Sequence, residues 1–159
     1  MNALALDQGQ LDSVPPLLTL SPAMPHVLLG EDDADTRRLL AWTLRVAGYD
    51  VVEAVDGLEV LDEMDSSIRQ NCSRPFSVIV LDVNMPFLTG LDLLAALRSA
   101  QWVTPVILIT AFGDEAIRAE ARELGAFAIL EKPSDLDELR TAVLRTLSLA
   151  CAAGRKRPR

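Results

Sequence analysis

Five short apolar runs, separated by amphipathic stretches, constrain this sequence more than any other feature. They are Val27-Leu28-Leu29, Val51-Val52, Val78-Ile79-Val80-Leu81, Val106-Ile107-Leu108-Ile109 and Ala128-Ile129-Leu130. A strand with one face in water alternates apolar and polar residues, whereas a strand covered on both faces reads as a continuous run. These runs are rich in Val and Ile and do not alternate, so each is expected to be a strand buried on both sides.

Helical periodicity fills the gaps. Leu39, Leu40, Thr43, Leu44 and Ala47 share a face that stops at Gly48, and Leu61, Met64 and Ile68 share another behind Asp56 and Glu59. Thr89 with Asp92 opens a third helix. Ile117, Ala121 and Leu124 stripe a fourth that stops at Gly125, and Ser134 with Asp137 opens a fifth, striped by Leu136, Leu139, Val143 and Leu147. A capping side chain followed three residues later by an acid is a helix-start signal, and Gly marks the stop. Strand and helix thus alternate five times. Right-handed crossovers then predict an α/β fold of flavodoxin-like type: a doubly wound five-stranded parallel sheet, order 2-1-3-4-5, with five helices on its two faces.

Charge and punctuation bound the rest. The 159 residues carry a net charge of −8, but Arg155 to Arg159 contribute +4 and Asp7 with Asp12 contribute −2, so residues 26–154 hold −10. Such a surface repels phosphate backbones, and no direct nucleic acid binding is expected of it. The uncharged stretch Ser13 to Gly30 contains Pro15, Pro16, Pro22 and Pro25 and cannot form a regular membrane-spanning helix. No basic residue precedes Arg37, so the charged start of a secretory signal is missing. Cys72 and Cys151 lack metal-ligand spacing and read as reduced thiols, consistent with a cytoplasmic protein. Residues 1–25 read as a disordered N-terminal tail, 26–149 as one folded domain and 150–159 as a basic C-terminal tail.

In a doubly wound sheet, chemistry gathers beyond the carboxyl ends of the strands, at the point where strand order reverses. Glu31-Asp32-Asp33 follows the first strand, Asp82 the third, Thr110 the fourth and Lys132 the fifth. Each alone has an ordinary explanation: Asp33 and Asp35 as helix caps, Thr110 as a turn residue, Lys132 as a solvated charge. Jointly they do not, because the fold sets Glu31 and Asp32 beside Asp82. Two carboxylates at about 4 Å repel by about 4 kcal/mol at an effective dielectric of 20. A hard divalent ion such as Mg²⁺ offsets that cost. With Lys132 as a second positive charge and Thr110 as a hydroxyl donor, the set describes phosphoryl transfer with an aspartate nucleophile.

The stretches VLLGEDDADTRRLL, VIVLDVNMPFLTG, VILITAF and ILEKPSDLDEL, with D-x-x-M-P-x-x-x-G from Asp82 to Gly90, resemble the receiver domain of two-component response regulators over about residues 26–149. The resemblance implies that Asp82 takes a phosphoryl group from a histidine of a sensor kinase or histidine phosphotransfer protein. It implies Mg²⁺ held by Glu31, Asp32, Asp82 and the backbone carbonyl of Asn84, a Thr110 hydroxyl that moves to the phosphoryl group, and Lys132 paired with it. Such a domain is a phosphoacceptor rather than an enzyme, catalysing only its own phosphorylation and dephosphorylation. Phosphorylation is expected to shift the fourth helix, fifth strand and fifth helix and expose a face for a downstream protein or a second copy. The family register pairs Glu31 with Asp32, while a shift to Asp32-Asp33 fits the same spacing. Pro133 is a candidate cis peptide, and Asn84 and Phe112 occupy positions that tune hydrolysis. Pro86 and Gly90 shape the loop after Asp82 through a rigid turn and a permissive backbone. Family members often carry an aromatic where this chain has Ile129; Phe127, two residues earlier, is expected to be core packing.

Rival readings fit less well. A haloacid dehalogenase phosphatase needs a second acid two residues after its nucleophile, where this chain has Asn84, and no Walker-type phosphate loop is present. A receiver-like interaction module acting without phosphorylation would leave an intact pocket unused. About ten residues follow the fifth helix, too few for a DNA-binding domain, so a stand-alone receiver is expected, with the receiver portion of a longer transcription regulator as the alternative.

Overall fold

The computed structural model describes residues 23–69, 75–132 and 135–154. Five strands, β1 (His26–Gly30), β2 (Asp50–Ala54), β3 (Val78–Asp82), β4 (Val106–Thr110) and β5 (Ala128–Glu131), alternate with five helices. The helices are α1 (Ala34–Val46), α2 (Gly57–Arg69), α3 (Gly90–Ser99), α4 (Glu115–Glu123) and α5 (Leu136–Gly154). All pairings are parallel, and the strand order is β2-β1-β3-β4-β5.

The apolar runs are continuous because successive side chains enter different cores. Val27, Leu29, Val78, Val80, Ile107 and Ile109 pack with Leu40, Leu44, Leu139 and Val143 of α1 and α5. Leu28, Ile79, Leu81, Val106 and Leu108 point the other way, onto Val60, Met64, Leu93, Leu94 and Ala121 of α2, α3 and α4. Every residue of β3 and β4 is buried. Burying one Leu or Ile of this kind contributes roughly 1.5–3 kcal/mol, which fixes the register of each strand.

Helix termini follow local signals. Thr89 caps α3 in a reciprocal box with Asp92, and the Asp56 carboxylate accepts from Glu59 N–H at 2.9 Å at the start of α2. α1 and α4 end in Schellman turns whose Gly48 and Gly125 have φ of 93° and 79°. α3 ends the same way, but its left-handed position is filled by Gln101 at φ 60°. α5 starts from Asp135, whose carboxylate accepts from Asp137 N–H at 2.9 Å, and continues to Gly154, past the boundary expected at 149. The expected Ser134 cap, the Pro133 peptide, Cys72, the first 22 residues and the last five lie outside the described residues.

Phe127 departs from expectation. It is 38% exposed and borders a surface groove with Ala128, Leu130 and Ala142. The reason is its place ahead of an edge strand, which has a neighbour on one side only. Ile129 is partly buried against the core formed with α2, α3 and α4.

Candidate functional site

The carboxyl edge of the sheet gathers the charged residues. Glu31 follows β1 directly and prolongs its pairing, its N–H donating to Ala54 O at 3.1 Å. Gly30 before it is needed for space, since a Cβ there would lie 2.8 Å from Val60 and 2.9 Å from Leu81. Asp33 turns away from the edge to cap α1, accepting from Thr36 N–H at 2.7 Å, which holds its carboxyl below the usual carboxylate range. The carboxylates that meet are Glu31, Asp32 and Asp82, with ligand oxygens all within 4.8 Å of one another.

Asp82 ends β3 with only 4% of its surface exposed. Its Oδ1 accepts from Asn84 N–H at 3.1 Å, and its Oδ2 lies 2.9 Å from Lys132 Nζ. The contact from Asn84 is therefore its N–H, and its side chain is exposed. Gly90 closes the loop after Asp82 by proximity rather than by unusual φ: a Cβ would lie 2.5 Å from Asp82 O. The permissive backbone expected of it is not what this position uses.

Lys132 is set in place by its own N–H, which donates to Thr110 O at 2.8 Å and extends β5 by one residue. Its ammonium lies 2.7 Å from Glu31 Oε2. Burial alone would lower its pKa, but the contacts with Glu31 and Asp82 outweigh burial and raise it. Glu31 is 1% exposed, and burial pushes its carboxyl up, with Lys132 opposing and the Asp82 charge adding. Oε2 is held by the ion pair with Lys132 alone, outside hydrogen-bonding direction. A buried carboxylate beside two further carboxylates, with a single ammonium to offset them, fits a hard cation with all-oxygen ligands, and Mg²⁺ is of that type.

Thr110 ends β4 fully buried, and its hydroxyl is committed to the following loop: it donates to Phe112 O at 3.0 Å and accepts from Phe112 N–H at 3.2 Å. Of the residues predicted from sequence, Glu31, Asp32, Asp82 and Lys132 thus form one cluster. Asn84 touches it through the backbone, and Thr110 shares the edge with its hydroxyl engaged elsewhere.

Two arginines were missed. Arg37 Nη1 donates to Glu31 O at 2.9 Å and Asp32 O at 3.3 Å, while its Nε lies 3.6 Å from Glu53 Oε2. It clamps the acid loop from behind. Arg118 of α4 pairs with Glu131 and donates to Gly113 O at 3.4 Å, spanning the loop that holds Thr110. A basic residue in the first turns of a helix was visible in both places, but sequence does not say which way it points.

The sequence profile of the response regulator receiver domain matches residues 27–144. The chain belongs to the response regulator receiver domain family. Over 116 residues the receiver domain is 40% identical to the transcriptional regulatory protein CpxR of Escherichia coli (strain K12), covering 73% of this chain and 46% of that protein. It is 40% identical over 115 residues to the transcriptional regulatory protein PrrA of Mycobacterium tuberculosis, covering 72% and 46%. The chain spans about half the length of these relatives. Among solved structures, the receiver domain of Francisella response regulator 1452 superposes with a TM-score of 0.70 at 31% identity, covering 79% of this chain and 98% of that one. The Vibrio cholerae chemotaxis protein CheY4 superposes at 0.68 with 33% identity, covering 79% and 100%. Receiver domains are signalling modules of two-component systems, typically using Mg²⁺ at an acidic pocket of the kind found here. No helix among the described residues is long and apolar enough to cross a membrane.

Proposed function

We propose that the domain accepts a phosphoryl group on Asp82 from a phosphohistidine of a sensor kinase or histidine phosphotransfer protein. The observation that carries this reading is the cluster of Glu31, Asp32 and Asp82, in which the two buried carboxylates, Glu31 and Asp82, share one ammonium, Lys132. A structural role alone gives no return for that arrangement, because like charges at such spacing cost stability. In the transfer, a carboxylate oxygen of Asp82 attacks phosphorus. The O–P bond forms as the N–P bond breaks, and the electron pair leaves with the imidazole.

Glu31, Asp32, Asp82 and the Asn84 carbonyl would hold Mg²⁺, which when bound neutralises charge on the phosphoryl oxygens. Lys132 moves its ammonium from Asp82 Oδ2 to a phosphoryl oxygen, so the acceptor gains access without losing its positive neighbour. The Thr110 hydroxyl exchanges Phe112 for the phosphoryl group, which frees the loop that Arg118 spans. Output then follows from a shift of α4, β5 and α5 toward a downstream protein or a second copy. The receiver surface itself is acidic and is not proposed to bind nucleic acid. The relatives named as transcriptional regulatory proteins extend beyond the matched region, which spans about half of their length. A kinase-fed receiver of this kind works in the cytoplasm.

Incubation with a small phosphodonor and Mg²⁺ tests the chemistry. Wild type is expected to form an acid-stable, base-labile adduct that Asp82→Asn does not form, and absence of the adduct from both proteins refutes the phosphoacceptor reading.

A further inference from the structure

The loop that leaves Asp82 holds a strained aromatic residue, most of whose surface is exposed. Leu88 N–H donates to Pro86 O at 2.8 Å, two residues back, across Phe87 at φ 68°. A bond from i+2 to i around a residue of positive φ is the rarer and more strained form of γ-turn, and a bulky residue there is an outlier. Glycine would adopt it freely. Strain of this kind persists where the surroundings enforce it. Both flanks of the turn are pinned: a Cβ on Gly57 would lie 2.5 Å from Leu88 O, and one on Gly90 would lie 2.5 Å from Asp82 O. Phe87 is the point that projects between these anchors, and it is 76% exposed. Little burial within the domain offsets the strain, which leaves the ring free for a contact outside it.

Its position says which contact. Asp82 is 4% exposed and lies beneath Lys132, so a donor must bring phosphorus down to a recessed carboxylate. Whatever surface surrounds the donor's histidine then meets the residues projecting around that recess. Residues 26–154 carry −10, so charge does not hold an acidic partner there, whereas an exposed ring binds apolar surface regardless of charge. We propose that Phe87 is a docking residue for the phosphohistidine-bearing surface of the donor protein. The strained turn presents its ring to apolar side chains beside the donor histidine, and the ring sets the rate of transfer from protein donors without entering the chemistry. This rests on the phosphoacceptor reading of Asp82.

The test compares two donors on the full chain: phosphoramidate, a small N–P donor, and a histidine kinase selected for transfer to wild type. Phe87→Gly removes the ring and relieves the strain; Phe87→Asn removes the ring in a residue that also tolerates positive φ. Both variants are expected to lose about tenfold in kcat/KM with the kinase, or about 1.4 kcal/mol. Labelling by phosphoramidate should change less than twofold, and the melting temperature of Phe87→Gly should not fall. Kinase transfer unchanged in both variants overturns the proposal, as does an equal loss with both donors. So does a change confined to self-association, which would assign the ring to a second copy. A wild-type chain labelled by phosphoramidate but by no kinase overturns it too, while labelling by neither donor refutes the underlying chemistry instead.

Discussion

Replacing Lys132 with methionine keeps a stem of similar length and removes the ammonium that neutralises the site. Nζ lies 2.7 Å from Glu31 Oε2 and 2.9 Å from Asp82 Oδ2. At an effective dielectric of 20 each contact represents about 6 kcal/mol of attraction before desolvation is subtracted. The variant does not lose that sum, because Glu31 can take up a proton instead. From an ordinary value of 4.5, protonation at pH 7 costs about 3.4 kcal/mol, a ceiling on the Glu31 share. Partial hydration of the vacated position lowers the expected loss to about 2–3 kcal/mol, or about 5–10 °C in melting temperature. The loss also has a defined pH dependence. Glu31 is already raised in the wild type, and without Lys132 its folded pKa rises further above its unfolded value. As pH falls below 4.5 the carboxyl becomes protonated in both states and the Glu31 share of the deficit disappears. It grows as pH rises through the window between the unfolded and folded values, then levels off. Millimolar Mg²⁺ should reduce the deficit by restoring positive charge. Urea unfolding of both proteins between pH 4.5 and 8 measures the difference, and a variant as stable as wild type at pH 8, or a deficit independent of pH, refutes the reasoning.

Three further outcomes are expected. Arg37→Ala should weaken Mg²⁺ binding by about 10- to 100-fold in calorimetric titration, since it frees the backbone from which Glu31 and Asp32 project; an unchanged affinity would remove Arg37 from the positioning of the acids. Gln101→Gly should raise the stability to urea by about 1 kcal/mol by removing a side chain from a left-handed position, and a decrease would show that the Gln101 side chain itself contributes. The caps Asp33 and Asp92 are held below the usual 3.8 by hydrogen bonds from Thr36 and Thr89, so their stabilisation is complete above pH 3.8 and lost as pH falls through their folded values. Acid unfolding of Asp92→Asn should accordingly be less steep below pH 3.8 than that of wild type.

The fold was legible because its signals are local. Continuous runs such as Val78 to Leu81 can be satisfied only between two covered faces, and Thr89, Gly48 and Gly125 mark helix ends through bonds spanning a few residues. The same logic placed Glu31, Asp32, Asp82 and Lys132 on one edge, since each directly follows or ends a strand. Phe127 was misread because burial on an edge strand depends on which neighbours exist, and Gly90 because close approach and free φ look alike in sequence. By itself, then, the sequence determined the sheet, its order and the residue types at its carboxyl edge. Tertiary structure alone decided that Asp33 caps α1 while Asp32 joins the acids, that Arg37 holds their backbone, and that Phe87 stands strained and exposed in the loop after the acceptor. Those outcomes depend on directions and distances between elements far apart in the chain, which neither periodicity nor composition encodes.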